Sequence, residues 1–319
     1  MTVIEAEGLT RRYGERTVLD TVDLRIDAGR VHALLGPNGS GKTTTVRMLA
    51  TLLRPSAGYA RIAGYDTVRD TWAVKRRIGL VGQFHAVDPR LTGPENLTLF
   101  GRMNGLTGRR ARAHAGELLD RFGLTDAADR LVRDYSGGMR RRLDIAAAMV
   151  VRPAVLFLDE PTTALDPRSR NQIYGYVNDF VAEGTTVLLT TQYLDEAARL
   201  ADTVTILDSG RVVATGTPRT LTAGIGGGLD LVADSRRRDE ITRVMADFGG
   251  SPTGGPTVPD PGDPPAQLSY SFRDPDIPLL PILRALDAIG VDVRDIGRRS
   301  ATLDDAFLAL TGPTPRTTP

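Results

Sequence analysis

The sequence predicts an α/β fold, a mostly parallel sheet with helices on its faces, followed by a smaller α+β unit. Short apolar runs at residues 31–35, 78–81, 154–158 and 185–190 have the length of buried strands. Segments of helical spacing separate them, so strand and helix alternate along the chain. The stretch Gly36-Pro37-Asn38-Gly39-Ser40-Gly41-Lys42-Thr43-Thr44 follows the first run and fits G-x-x-x-x-G-K-[ST], a loop that cradles phosphate between a strand and a helix.

In chain order, residues 3–9 alternate as a strand, and Arg12-Tyr13-Gly14 reads as a turn. Residues 18–19 and 22–26 read as a pair of strands ending at Ala28-Gly29. The loop follows, where glycines let successive N–H groups converge on an anion and the helix from residue 44 adds its positive end. In such a loop Lys42 reaches the β- and γ-phosphates and the Thr43 hydroxyl takes Mg²⁺. A turn at 55–58 and a strand at 59–62 come next, and the strand at 78–81 ends at Gly82-Gln83. From about 84 to 150 the chain turns helical and arginine-rich, with helices expected from Pro94 and over 109–122, an insertion between halves of the α/β core.

Ser136 is a good N-cap, and Gly137-Gly138 allows another backbone to approach closely. The run at 154–158 ends in Asp159-Glu160-Pro161, carboxylates at the C-terminal end of a buried strand, where open α/β sheets bind ligands. Such an acidic pair commonly caps a helix; beside a phosphate loop it reads as a metal and water site. Residues 163–167 lead into a helix to about 182, and the strand at 185–190 ends at Thr191-Gln192. A helix over 194–201 and a hairpin turning at Ser209-Gly210 close the first domain, which we bound at residues 1–223.

Residues 224–228 read as a linker and 229–311 as the α+β domain, with strands at 229–233, 267–272 and 291–296 and helices at 236–248, 277–289 and 303–310. Disorder is expected in the Pro/Gly-rich loop 249–265 and in the tail 312–319.

Composition narrows the function classes. The net charge of +1 gives no basic surface for wrapping nucleic acid. No cysteine is present, so disulfides and thiolate metal sites are excluded, and three scattered histidines give neither metal spacing nor a triad. The N-terminus lacks the pattern of a signal peptide, and no apolar run approaches the ~20 residues of a membrane span. A cytoplasmic protein that reaches a membrane through a partner is expected.

Taken in order, the phosphate loop, Gln83, Ser136-Gly137-Gly138, Asp159-Glu160 and Ala164-Leu165-Asp166 resemble the nucleotide-binding domain of the ATP-binding cassette (ABC) transporters, over about residues 1–220. The stretches Tyr135–Leu143 and Thr191–Ala197 and the terminal Leu303–Gly312 look like the daunorubicin-resistance type of drug exporter ATPase, a match that extends through the C-terminal domain. The resemblance implies a P-loop NTPase core with an antiparallel β subdomain and a helical subdomain. It implies ATP and Mg²⁺ as cofactors, with Gly36, Pro37, Asn38, Gly39, Ser40, Gly41, Lys42, Thr43 and Thr44 on the triphosphate. Thr43, Gln83 and Asp159 would serve Mg²⁺, and Glu160 would polarise the attacking water. Tyr13 would stack on adenine, although from the residues alone an aromatic covering the hairpin is an equal reading. Ser136, Gly137 and Gly138 would meet ATP held by a second subunit, with Asp166 at the seam.

Departures from the family pattern stand at Met139, where the signature has Gln, and at Gln192, where most members have a switch histidine. A glutamine amide can donate to a γ-phosphate but cannot carry a proton between groups. With Glu160 retained, hydrolysis is expected to persist, slowly without a partner. The implied partners are a separate transmembrane permease and a second ATP-binding subunit, as a homodimer at the cytoplasmic face of the membrane; no nucleic acid is implied. The alternatives are a non-transport ATPase of the superfamily acting on ribosomes or DNA, and a regulatory ATP-binding module with little turnover. The C-terminal domain could be a dimer clasp, a ligand sensor or a stabiliser.

Overall fold

The structure is a computed structural model that describes residues 1–223, 226–253, 266–272, 274 and 277–311. The chain separates into two compact units, Met1–Pro218 and Arg219–Pro319.

The first unit runs β1 (Thr2–Tyr13), β2 (Arg16–Asp27), β3 (Val31–Leu35), α1 (Lys42–Leu49), β4 (Ala57–Ile62), β5 (Tyr65–Asp66), α2 (Thr71–Lys75) and β6 (Ile78–Val81). The helical stretch follows as α3 (Gly93–Met103), α4 (Gly108–Arg121) and α5 (Gly137–Met149). The core resumes with β7 (Val155–Asp159), α6 (Pro167–Ala182), β8 (Thr186–Thr191), α7 (Leu194–Leu200), β9 (Thr203–Asp208) and β10 (Arg211–Gly216).

Five of these strands are parallel neighbours in a six-stranded sheet of order β10-β9-β3-β8-β7-β6, in which only the edge strand β10 is antiparallel. The strands β3, β7 and β8 are buried at every residue, which is why they read as mostly apolar runs, broken by His32, Asp159 and threonines. A separate antiparallel sheet has the order β2-β1-β4-β5. Its inward residues Ile4, Leu9, Leu24 and Ile26 share one apolar cluster with Val46 and Leu49 of α1 and Phe157 of β7.

Several local expectations change. Arg12 and Tyr13 are not in a turn: β1 continues through them, Tyr13 pairs with Arg16, and the turn is Gly14-Glu15, with Gly14 at φ 59. The expected strands at 18–19 and 22–26 are one strand, β2, whose register shifts beside Thr21 at φ 55. Strand β5 and helix α2 are too short to show a period; Asp66 organises their junction by accepting from the backbone N–H groups of Val68 (2.8 Å) and Arg69 (2.9 Å).

Helix α8 (Pro218–Thr222) lies at the division between the units. The second unit runs β11 (Gly227–Ala233), α9 (Arg238–Asp247), β12 (Gly250–Pro252), β13 (Ala266–Phe272), α10 (Leu279–Ala288), β14 (Val293–Ser300) and α11 (Leu303–Thr311). Its antiparallel sheet has the order β12-β13-β11-β14, the split βαβ arrangement. Leu229, Leu231, Tyr270 and Phe272 pack there against Ile241, Met245 and Ile282.

The expected linker is shorter at its C-terminal end, because Gly227 and Gly228 pair with Phe272 and Ser271. A Cβ on Gly228 would lie 2.9 Å from Arg299 Nε, so this glycine serves close packing rather than slack. Residues 250–252 of the expected loop form β12, tied to β13. Residues 224–225 of the linker, 254–265 of the loop and the tail 312–319 lie outside the described residues. Among the described residues, no helix is long and apolar enough to cross a membrane.

Candidate functional site

The site forms where β3, β7, β8 and β6 end together. Leu34 and Leu35 are buried and deliver the chain into the glycine loop. Gly36 donates its N–H to Thr191 O (3.3 Å), and a Cβ there would sit 2.1 Å from Leu207 O. Gly41 holds φ 110, and its Cβ would meet Leu19 Cδ2 at 2.4 Å. At Gly36 the clash is with backbone, which leaves no room for a side chain; at Gly41 the left-handed φ is what favours glycine, and the leucine methyl adds to it. Pro37, Asn38 and Gly39 are exposed at the loop's crest. Ser40 is buried, and its Oγ has no hydrogen-bond partner.

Lys42 opens α1 with its side chain folded across the loop, donating to Gly36 O (2.7 Å) and Pro37 O (3.1 Å). Its ammonium lies 3.7 Å from Glu160 Oε1. Burial pushes the Lys42 pKa down, and the charges of Glu160 and Asp159 oppose that fall. Thr43 and Thr44 complete the first turn; Thr43 Oγ1 donates to Asp159 Oδ1 (3.2 Å), and Gln83 Nε2 donates to Thr43 Oγ1 (3.3 Å).

Asp159 is the last residue of β7 and only 3% exposed; Thr190 Oγ1 donates to the same Asp159 Oδ1 at 2.6 Å. Glu160 follows at φ 47, a left-handed conformation rare outside glycine, with its N–H shared between Thr190 O and Thr190 Oγ1 at 3.1 Å each. The phosphate loop, Gln83, Asp159 and Glu160 are therefore one connected cluster.

Other expected site residues stand apart from that network. Ser136 caps α5, accepting from Met139 N–H (3.2 Å). Asp166 caps α6, accepting from Ser169 N–H (2.9 Å) and Ser169 Oγ (2.6 Å), bonds that hold its carboxyl below the usual range. Within this chain the paired glycines meet different surroundings. A Cβ on Gly138 would meet the Ser169 side chain at 2.5 Å, whereas one on Gly137 would face open space. Gly137 lines a cleft of about 540 Å³ together with Asn38, Gln83, Glu160 and Leu165. Gln192 is half-buried just beyond β8, and Tyr13 is 49% exposed with the Arg11 guanidinium 4.4 Å from its ring centre.

Sequence reasoning passed over Thr190, Arg141 and Asp144. Arg141 is 5% exposed and donates to Gly82 O (2.6 Å), Pro161 O (2.8 Å) and Asp159 O (3.1 Å). Within Arg140-Arg141-Arg142 nothing in the letters marks the middle residue. A polar residue closing an apolar strand was the available signal for Thr190.

The donor set suits a hard cation, since a hydroxyl, a carboxylate and an amide converge around Thr43 Oγ1. Among the described residues no group of three or more His, Cys, Asp or Glu side chains could hold a metal, so a cation here would share its shell with phosphate and water, the Mg²⁺ pattern. The crowded glycines and the orphaned Ser40 Oγ fit a phosphate cradle in the same way.

A parallel sheet ending in a phosphate loop and an acidic pair, Asp159 buried and Glu160 partly so, with an antiparallel sheet and a helical insertion, defines an ATP-binding cassette. Residues 19–163 match the profile of the ABC transporter family. The daunorubicin resistance ATP-binding protein DrrA3 of Streptomyces coeruleorubidus is 49% identical over 315 residues, 98% of this chain and 96% of that protein. Among solved structures, an ATP-binding subunit of an ABC transporter aligns with TM-score 0.63 and 30% identity, covering 69% of this chain and 91% of the other. An ATP-binding cassette solved as a dimer in a post-hydrolysis state with ADP and Pi aligns with TM-score 0.61 and 27% identity, covering 67% and 98%. The chain belongs to the ABC transporter family, as an ATPase of the daunorubicin resistance ATP-binding group.

Proposed function

We propose that this chain is the ATP-hydrolysing subunit of an exporter, dimerising around two MgATP to drive a hydrophobic small molecule, such as an antibiotic, through a separate membrane permease. The observation that carries the reading is Glu160, a carboxylate kept on a strained turn at φ 47 and 3.7 Å from the loop lysine. Side chains retained at such cost cluster at sites of chemistry. The drug named for the relative supports the cargo class, and the dimeric cassette with ADP and Pi supports the assembly.

In this reading the backbone N–H groups from Gly36 to Thr44 receive the triphosphate, and Lys42 exchanges its carbonyl partners for β- and γ-oxygens. Thr43, Gln83 and Asp159 would hold Mg²⁺, which when bound neutralises phosphate charge. Glu160 accepts a hydrogen bond from the attacking water, whose oxygen bonds the γ-phosphorus as the bond to the β-bridging oxygen breaks, leaving ADP and phosphate. Gln192 donates its amide to the γ-phosphate, and Tyr13 stacks on the base. Ser136, Gly137 and Gly138 at the start of α5 present N–H groups to the nucleotide of a second copy, with Asp166 at the seam. The chain is held at the cytoplasmic face of the membrane through the permease.

The test is ATP hydrolysis by the purified chain at rising protein concentration, beside Glu160→Gln. Specific activity should climb with concentration, and the variant should bind ATP without turning it over. Turnover by Glu160→Gln equal to that of the parent would overturn the reading.

A further inference from the structure

Helix α5 carries more than its capped start. One turn beyond the glycines, Arg141 donates to Gly82 O at 2.6 Å, immediately before Gln83. Three residues further on, Asp144 is 4% exposed, and its Oδ1 accepts from the N–H groups of Ala86 (2.9 Å) and Val87 (3.3 Å). Its other oxygen contacts His85 Nδ1. Gln83 is thus bracketed, on one side by Arg141 and on the other by Asp144. Arg141 also grips Asp159 O and Pro161 O, on either side of Glu160.

We propose that Asp144, seconded by Arg141, is a positioning residue that fixes Gln83 to α5. The inference rests on the proposed role of Gln83 toward Mg²⁺. A buried carboxylate that accepts from two backbone N–H groups of the segment behind Gln83 and meets His85 Nδ1 with its other oxygen locks that segment more firmly than apolar packing, because each N–H offers one direction of bonding.

The test compares Asp144→Ala, Asp144→Asn, Gln83→Ala and the double variant Asp144→Ala/Gln83→Ala in the full chain. Affinity for a non-hydrolysable ATP analogue is measured with Mg²⁺ and with a chelator, together with amide hydrogen exchange at Ala86 and Val87. Losing the partner behind a metal ligand costs about 10-fold or more in metal affinity. Asp144→Ala should therefore cut the Mg²⁺-dependent gain about 10-fold, and Gln83→Ala should do the same. The double variant should lose no more than either, since acting through one group removes additivity. Asp144→Asn, whose amide oxygen still accepts both N–H groups, should keep the gain and the slow exchange.

An undiminished gain in Asp144→Ala despite faster exchange at Ala86 and Val87 would make Asp144 a structural clasp only and overturn the proposal. Additive losses, or no Mg²⁺ gain in the parent chain, would overturn it too. If Asp144→Ala does not fold, Asp144→Ser decides, since its shorter hydroxyl cannot reach both the Ala86 and Val87 N–H groups. An undiminished gain in Asp144→Ser despite faster exchange at Ala86 and Val87 would overturn the proposal. Failure of Glu160-dependent hydrolysis would sink the exporter reading alone, because affinity and exchange need no turnover.

Discussion

Thr190 gives its hydroxyl hydrogen to Asp159 at 2.6 Å while receiving the N–H of Glu160 at 3.1 Å, so one small side chain orients both acidic residues. Thr190→Val keeps the shape and deletes both bonds. Losing a hydrogen bond to the buried Asp159 carboxylate should cost about 1–3 kcal/mol, read by urea unfolding. Mg²⁺-dependent nucleotide affinity should fall about 10-fold, read by titration. His32 lies 2% exposed on β3, bonded through Nε2 to Thr205 Oγ1 at 2.9 Å, and burial lowers its pKa from 6.5 to about 4. Above pH 6.5 it is neutral whether the chain is folded or not. Between 6.5 and about 4 the unfolded chain gains a proton that the folded one refuses, so stability falls as pH falls. The loss approaches about 3 kcal/mol, and His32→Leu should flatten that part of a stability–pH curve. At this scale Lys42 was legible because its motif is local, whereas Thr190 and Arg141 were not, because the atoms they hold belong to distant segments.

The start of α5 was readable, with Ser136 expected as its cap and found so. Asp166 caps α6, and Thr92 and Glu95 form a reciprocal capping box on α3; neither was read from the sequence, although both lie within one turn. Capping acts within one turn, so the signal is contained in four letters. What the caps bring together was not readable. Gly138 on α5 faces Ser169 on α6, so Gly138→Ala would drive the Ser169 hydroxyl off Asp166. The expected cost is about 1 kcal/mol, seen as a lower unfolding midpoint, and adding Ser169→Ala should recover part of it. An undisturbed midpoint in Gly138→Ala would show that the contact yields freely. The hairpin of β1 and β2 was misplaced for the opposite reason: the shift beside Thr21 depends on pairing with β1, and periodicity within one strand cannot report it.

For the molecule as a whole, the start of α5 and the phosphate loop belong to the same unit, yet among the described residues no hydrogen bond joins Ser136 to the loop. In the proposed function a second copy completes the nucleotide site, although Gly137 already shares a cleft with Asn38 of the loop. Glu160→Gln with MgATP should therefore run as a species of about twice the 34.3 kDa chain in light scattering, and return to the single chain with ADP. A single-chain mass under both conditions would refute the homodimer.

By itself the sequence determined the alternation of strand and helix, the phosphate loop, the acidic strand end and the Ser136 cap. Each is written in residues close in the chain, where hydrophobic period, glycine freedom and capping chemistry act locally. Only the tertiary structure decided which polar groups meet. The strand order β3-β8-β7-β6 sets β8 between the loop strand and the acidic strand, placing Thr190 against Asp159 and Glu160, while Arg141 from α5 ties the ends of β6 and β7. Those neighbours are fixed by sheet pairing between segments far apart in sequence, and no local pattern encodes such a pairing.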